Sequence, residues 1–289
     1  MSEVRRIVVI YNPASTGKSQ LTAERFAARV KRRIGLPVEL MATEHRGHAE
    51  VLARRAAQRD PHTMIISASG DGGYHEVVNG ILESRNPDAI TGLLPAGNAN
   101  DHYSFMHHGD VIRRITAGQA EHIDILTISS SAGWTRFAHS YAGVGLTSQI
   151  NDLLKQYEYH PVREFRLAFH KALNVTPIRV TVAGKTKRLD NLLFLNAGRM
   201  SKMIRTSGRA SISDGKFEII EIKAGAVIDL ARFFFHAITV GVSNAKQART
   251  YAFTCKHDMG LQMDGERKQL HAGETITITI TPRALHCII

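Results

Sequence analysis

Three stretches of this chain place uncovered backbone beside hydroxyls and amides: Asn12-Pro13-Ala14-Ser15-Thr16-Gly17-Lys18-Ser19, Ser69-Gly70-Asp71-Gly72-Gly73 and Pro95-Ala96-Gly97-Asn98-Ala99-Asn100-Asp101. Groups of this kind receive oxyanions, and a helix N-terminus behind them adds a favourable dipole. The first stretch is a near-match to G-x-x-x-x-G-K-[ST] with Asn12 in place of the first glycine. It reads equally as a strand-to-helix turn capped by Ser15 or Thr16. In the second, Gly70, Gly72 and Gly73 open the backbone to close approach, and Asp71 is an acid where a phosphate would arrive. Such an acid fits if a divalent cation or a nucleotide hydroxyl sits between the two; a tight turn with Asp71 as its Asx cap is the other reading. Downstream, Glu76 and Asn79 share a helix face, and Gly80 permits close packing. Late in the chain, Asp264-Gly265-Glu266 sets two carboxylates around a glycine, which by itself reads as a short hairpin turn.

The elements that carry these residues follow from hydrophobic periodicity. Strands are predicted at Val4 to Tyr11, Pro37 to Met41, Met64 to Ser67 and Ile90 to Leu94. Helices are predicted at Ser19 to Ile34, with Leu21, Phe26, Val30 and Ile34 on its buried stripe, at His48 to Gln58 and at Tyr74 to Ser84. Alternating strands and helices imply a doubly wound parallel sheet, whose strand ends lie on one edge and let the three loops converge on one nucleotide-like ligand. From about Ile123 the pattern becomes period-two alternation, as in 178–182 and 275–280, with one helical interruption over 226–238. The fold class is therefore an N-terminal α/β domain, residues 1–123, followed by a mostly antiparallel β domain, residues 124–289.

At 289 residues, with 43% hydrophobic and 22% charged residues, the chain can bury a sizeable core, which excludes a small disulfide scaffold and a disordered protein. Lys+Arg 37 against Asp+Glu 26 gives +11, a field that attracts polyanions. No recognition-helix or aromatic stacking pattern supports nucleic acid as the partner. Cys255 and Cys287 lack metal spacing and read as buried thiols of a reducing, cytoplasmic setting. The apolar run at Ile7 to Ile10 is too short for a signal peptide or an anchor, so a membrane would be visited at its surface. The 15 histidines show no H-x-x-x-H or H-E-x-x-H arrangement and read as surface and turn residues. Basic stripes at Arg25-Arg29-Arg32-Arg33 and Lys185-Lys187-Arg188 read by default as solvated faces, and they would also suit an anionic bilayer.

The stretch Gly70-Asp71-Gly72-Gly73-Tyr74-His75-Glu76-Val77-Val78-Asn79-Gly80 resembles the GGDGTxxEVxNG signature of the diacylglycerol kinase catalytic-domain family, which includes bacterial lipid kinases and sphingosine kinases. Asn12 to Gly17 resembles that family's NPxSG loop with one residue inserted, and 94–101 resembles its P-x-G-T-x-N-D turn. Ile123-Asp124-Ile125, Ala210-Ser211-Ile212-Ser213-Asp214-Gly215-Lys216 and Met263-Asp264-Gly265-Glu266 resemble its later motifs. The chain departs from the pattern at Ser69, Gly73 and Asn98, where the family has glycine, threonine and threonine. Ser213 also stands where bacterial members often carry an additional Asp.

The resemblance implies an α/β domain, a β-sandwich domain and an active site in the cleft between them. It also implies an ATP-dependent lipid kinase acting on diacylglycerol or a similar amphiphile. By resemblance, Asn12, Pro13, Ala14, Ser15, Thr16, Gly17, Thr43, Gly70, Asp71, Gly72, Gly73, Tyr74, His75, Glu76 and Asn98 hold ATP. Asp264 is the general base, with Glu266 orienting it or helping to hold Mg2+. Asp214, with the carbonyls of Ser211 and Lys216, binds a second, structural Mg2+, which Asp101 and Asp124 link to the nucleotide side. The implied setting is cytoplasmic with peripheral membrane association, and the sequence leaves a homodimer open. An NAD kinase-like enzyme shares the GGDG loop, and a nucleotide-binding protein that has lost turnover is the alternative from another class.

Overall fold

Ile7, Val8, Val9 and Ile10 are all buried, which an isolated strand achieves only when both faces of its sheet are covered. The computed structural model describes residues 4–15, 18–97, 103, 110–154, 174–196, 199–200, 204–205, 211–225 and 245–288. In it β1 (Arg6–Tyr11), β2 (Val38–Ala42), β3 (Thr63–Ser69) and β4 (Ile90–Pro95) pair in parallel in the order β2-β1-β3-β4. The crossovers contain α1 (Ser19–Arg33), α2 (His48–Arg59) and α3 (Asp71–Glu83). A short α4 (Val111–Thr116) follows β4, its N-cap Asp110 accepting the Ile112 N–H. Residues of α1 and α4 pack on one set of alternating sheet positions, among them Ile7, Val9, Met64 and Ile66. Helices α2 and α3 pack on each other and against β1 and β3.

Two details differ from the sequence reading. The buried stripe of α1 is Ser19, Ala23, Phe26 and Val30, while Leu21 is exposed. The small Ser19 and Ala23 continue the spacing that Phe26 and Val30 set, so a large side chain at 21 falls off the stripe. Helix α3 starts at Asp71 rather than Tyr74, so Asp71, Gly72 and Gly73 form its first turn and only Gly70 remains outside, as N-cap.

The second part of the chain is antiparallel. Its strands are β5 (Glu121–Ser130), β6 (Thr135–Ala138), β7 (Tyr141–Gly145), β8 (Ile178–Val182), β9 (Lys185–Leu195), β10 (Arg199–Met200), β11 (Ile204–Arg205), β12 (Phe217–Lys223), β13 (Lys246–Ala248), β14 (Thr250–Cys255), β15 (Met259–Met263), β16 (Glu266–Leu270) and β17 (Thr275–Cys287), with α5 (Leu146–Leu154) after β7. Strand β9 pairs along its first half with β8, along its second half with β7, and on its other edge with β12. In β17, Ile276, Ile278 and Ile280 are buried between threonines and meet Phe194, Phe217 and Phe253 in one apolar core. The helix predicted over 226–238 lies outside the described residues.

The chain divides into two compact units, Leu126–Thr281 and Met1–Ile125 with Pro282–Ile289. The last residues therefore leave the second unit, against a boundary that kept 124–289 together. The alternation predicted to end at Ile280 resumes at Leu285 and Cys287, both buried, and His286 and Cys287 pair in parallel with Ile90 and Thr91 of β4. A parallel sheet whose outer strand would otherwise show an open ladder gains a closing partner. No helix among the described residues is long and apolar enough to cross a membrane.

Candidate active site

The strand order of the first unit makes the gap between β1 and β3 its topological switch point, where ligands of open α/β sheets bind. The loops leaving β1, β3 and β4 at their carboxyl ends are tied to one another there. Ser19 donates its hydroxyl to the Ala68 carbonyl at the end of β3 and accepts the Asn12 N–H at 3.1 Å. Ser15 Oγ donates to the Ala96 carbonyl at 3.3 Å, and the Ala96 N–H donates to the Ser69 carbonyl at 3.0 Å. Gly70 and Gly97 pass so closely that a Cβ on Gly70 would stand 3.0 Å from the Gly97 Cα. Two glycines are required where two backbones approach this far.

Within the first loop, Asn12 Oδ1 accepts the Ala14 N–H at 2.9 Å and the Asn12 carbonyl accepts the Ser15 N–H at 3.1 Å. The turn is thus built by its own asparagine, and α1 begins after Lys18 in a left-handed conformation, without a side-chain cap. Ser15 is spent on the third loop and Ser19 on β3, so neither caps α1. Thr43 follows β2, its N–H bonded to the Tyr11 carbonyl at 2.8 Å, which puts it on the same sheet edge. Thr16, Gly17, Asn98 and Asp101 lie outside the described residues.

The second loop divides its residues between the ligand edge and the core. Gly70, Asp71, Gly72 and Gly73 remain partly exposed, whereas the side chains of Tyr74 and His75 are buried. Glu76 points to α2: its carboxylate accepts the N–H groups of Gly47 at 2.9 Å and Ala49 at 3.2 Å, supplying the start of that helix with the acceptor its glycine N-cap lacks. Asn79 donates to the His75 carbonyl at 2.9 Å inside α3. Gly80 lies against α2, where a Cβ would meet the Glu50 carbonyl oxygen at 2.2 Å.

In the second unit, Asp264 and Gly265 both have positive φ, 44° and 96°, and form the two-residue turn between β15 and β16. The Asp264 side chain turns back into the protein and is fully buried. Its Oδ2 accepts the His139 N–H at 2.6 Å, and its Oδ1 accepts those of Ser140 at 3.0 Å and Tyr141 at 2.9 Å. The His139 ring adds an Nε2 at 3.5 Å from Oδ2. Three amide dipoles aimed at one carboxylate compensate its burial. Glu266, the first residue of β16, stays partly exposed.

The remaining acids divide by exposure. Asp214 is exposed, with Oδ1 accepting the Lys216 N–H at 3.0 Å in a turn that also holds Ser211. Burial holds Glu218 above the usual carboxylate range despite its bond from Gln247, and the Asp214 charge adds to the rise. Asp124 is fully buried, with Oδ1 accepting the Arg283 N–H at 2.8 Å.

Sequence reasoning missed several groups. The amides of 139–141 carry no residue-type signal. Histidines read as surface residues prove otherwise at His75 and His139, which are buried. Glu44, His45 and His48 bring one ligand atom each within 4.8 Å of the others, and the H-x-x-H spacing of the two histidines is the signal the sequence carries for them.

Residues 6–128 match the family model described as the diacylglycerol kinase catalytic domain. A diacylglycerol kinase of Staphylococcus aureus (strain MRSA252) is 27% identical over 284 residues, covering 91% of this chain and 86% of the relative. One of Staphylococcus haemolyticus (strain JCSC1435) is 27% identical, covering 89% of this chain and 81% of the relative. A crystal structure of a diacylglycerol kinase from Bacillus anthracis str. Sterne superposes with a TM-score of 0.73 at 15% identity, over 100% of this chain and 98% of that one. At that identity the superposition speaks for the fold alone.

Proposed function

We propose that residues 6–128, which match the family model described as the diacylglycerol kinase catalytic domain, act as one, and that the protein transfers the γ-phosphate of ATP to a hydroxyl of diacylglycerol or a similar lipid, giving phosphatidic acid or an analogous phospholipid. The observation that carries the reading is the mutual tethering of the three loops at the switch point, through Ser15, Ser19, Ala96 and the Gly70–Gly97 contact. Phosphoryl transfer asks a protein mainly to position the phosphates, neutralise charge and accept a proton. A cradle of bare backbone on a rigid sheet edge meets the first demand.

In this reading Asn12 to Gly17, Thr43, Gly70 to Gly73 and Asn98 receive the nucleotide. Tyr74 and His75 contribute main chain only, because their side chains are buried, and Glu76 acts by holding the start of α2 in place. The acceptor's proton goes to Glu266 rather than to Asp264. Both Asp264 oxygens already receive backbone N–H groups, so taking a proton would strip bonds from a buried site. Asp264 then fixes the hairpin that presents Glu266. An exposed carboxylate among turn carbonyls is an oxygen donor set of the kind hard cations take, so Asp214 with Ser211 and Lys216 would hold Mg2+, which offsets negative charge when bound.

Incubation of the purified protein with labelled ATP and mixed micelles of diacylglycerol, of sphingosine, or with NAD tests the proposal. Label in phosphatidic acid is the expected result. Label found in NADP alone removes the lipid reading, and nucleotide binding with no product on any acceptor identifies a protein that has lost turnover.

A further inference from the structure

Ser69 and Gly73 differ from the motif they resemble in opposite senses, a side chain gained at the strand end and one lost in the helix. The geometry makes them one feature. A Cβ built on Gly73 would stand 2.6 Å from Ser69 Cβ and 2.7 Å from Ser69 Oγ, closer than non-bonded carbon and oxygen atoms approach a Cβ. The side chain of residue 69 therefore fills the space into which a side chain at 73 would project, over the first turn of α3.

The hydroxyl is placed to be used. Ser69 ends β3 at the sheet edge and is partly exposed, while Ser67 behind it is buried with its Oγ 2.7 Å from Ser69 Oγ. Ser69 donates to the Gly70 carbonyl at 2.9 Å, but that carbonyl also receives the Tyr74 N–H at 3.1 Å. Turning the Ser69 proton toward a ligand thus leaves no carbonyl orphaned, and Ser67 can donate into the Ser69 lone pair meanwhile.

We propose that Ser69 is a nucleotide-contacting residue of the glycine loop, donating its hydroxyl to a phosphate oxygen from the strand side, and that Gly73 is the steric counterpart that makes room for it. The inference rests on the kinase reading and adds to it the residue that supplies the loop's hydroxyl. It predicts that the two positions are coupled: a hydroxyl is tolerated at 69 or at 73, and not at both.

The test is calorimetric titration of the full-length protein with magnesium and the non-hydrolysable ATP analogue AMP-PNP. Ser69→Ala, which removes a single oxygen, should weaken binding at least about tenfold, the loss expected of one hydrogen bond to a charged phosphate oxygen. Gly73→Thr should weaken it further, and Ser69→Gly combined with Gly73→Thr should return it to within about threefold of wild type. In steady-state assays Ser69→Ala should raise KM for ATP and leave KM for the lipid in place, a split that general loss of structure would not produce. Wild-type affinity in Ser69→Ala, or in Gly73→Thr, overturns the assignment and leaves the kinase reading standing. Absence of analogue binding by the wild-type protein overturns both.

Discussion

An amide in place of the Asp264 carboxylate would turn an NH2 group toward at least one of three backbone N–H donors in a site without water access. Two donors facing each other in a buried place cost more than the bond they replace, so Asp264→Asn should lose about 2–4 kcal/mol and several degrees in Tm. Glu266→Gln, on a partly exposed strand start, should keep Tm within about 1 °C while cutting kcat at least roughly a hundredfold with KM for ATP near wild type, as removal of a general base does. Differential scanning calorimetry beside steady-state kinetics separates the two; unchanged kcat in Glu266→Gln would reject it as the base. The sequence makes the Asp-Gly turn legible, since few dipeptides accept two positive φ values. It hides what the carboxylate does inside the turn, because the partners are main-chain amides of 139–141. Glu76 is a parallel case: its place three residues from Asn79 on a helix suggests a ligand group, and only the fold reveals the bare N-terminus of α2 beside it.

Elements were legible wherever one period dominated. Strands β1 to β4 and the start of α1 follow from runs of branched apolar residues and from turn residues between them, whereas two boundaries moved for local reasons. Glycines at 72 and 73 read as loop, yet the first turn of α3 contains them because no side chain there obstructs Ser69 and the neighbouring loops. The end of β17 was lost behind Pro282, which breaks the alternation before Leu285 and Cys287 restore it. The contact of α2 with α3 offers the sharpest element-scale prediction. Alanine is ordinarily favoured over glycine inside a helix by about 1 kcal/mol. At position 80 its Cβ would press to 2.2 Å from the Glu50 carbonyl oxygen and 3.0 Å from both Ala53 Cβ and the Arg54 nitrogen, two of them backbone atoms that cannot swing aside. Overpacking of this kind costs about 1–3 kcal/mol, enough to outweigh the propensity gain. Gly80→Ala should therefore lower the urea midpoint at an unchanged m-value, and a raised midpoint would show that the two helices have slack.

Over the whole molecule the charge of +11 concerns where the protein resides rather than how it folds. The structure separates the two basic stripes. Lys187 is engaged with Glu221, at 2.7 and 2.8 Å to its two oxygens, and burial, which would raise the Glu221 pKa, is outweighed by Lys187 and the Tyr251 hydroxyl, so the pair stays charged and mutually neutralised. On α1, Arg29 pairs with Asp110 at 2.5 Å, but Arg25, Lys31, Arg32 and Arg33 are exposed, with Leu21 exposed one turn before Arg25. Juxtamembrane basic residues contribute about 1 kcal/mol each to attraction by an anionic leaflet, within a Debye length of the surface. On the proposed lipid-kinase reading, such a face lengthens residence at the surface that carries the acceptor. The wild-type protein should therefore sediment with phosphatidylglycerol-containing vesicles at about 50 mM NaCl and be released at about 500 mM, where screening reaches a few ångströms. Replacing Arg25, Arg32 and Arg33 together by glutamate should abolish that partition while lowering Tm by only a few degrees, the cost of acids in the last turn of α1. Replacing Lys185 and Arg188, the exposed remainder of the other stripe, should reduce it by less, because Glu221 already offsets part of that charge. If the α1 variant still sediments at low salt, attraction by the bilayer does not run through this helix, and the charge serves general polyanion steering instead.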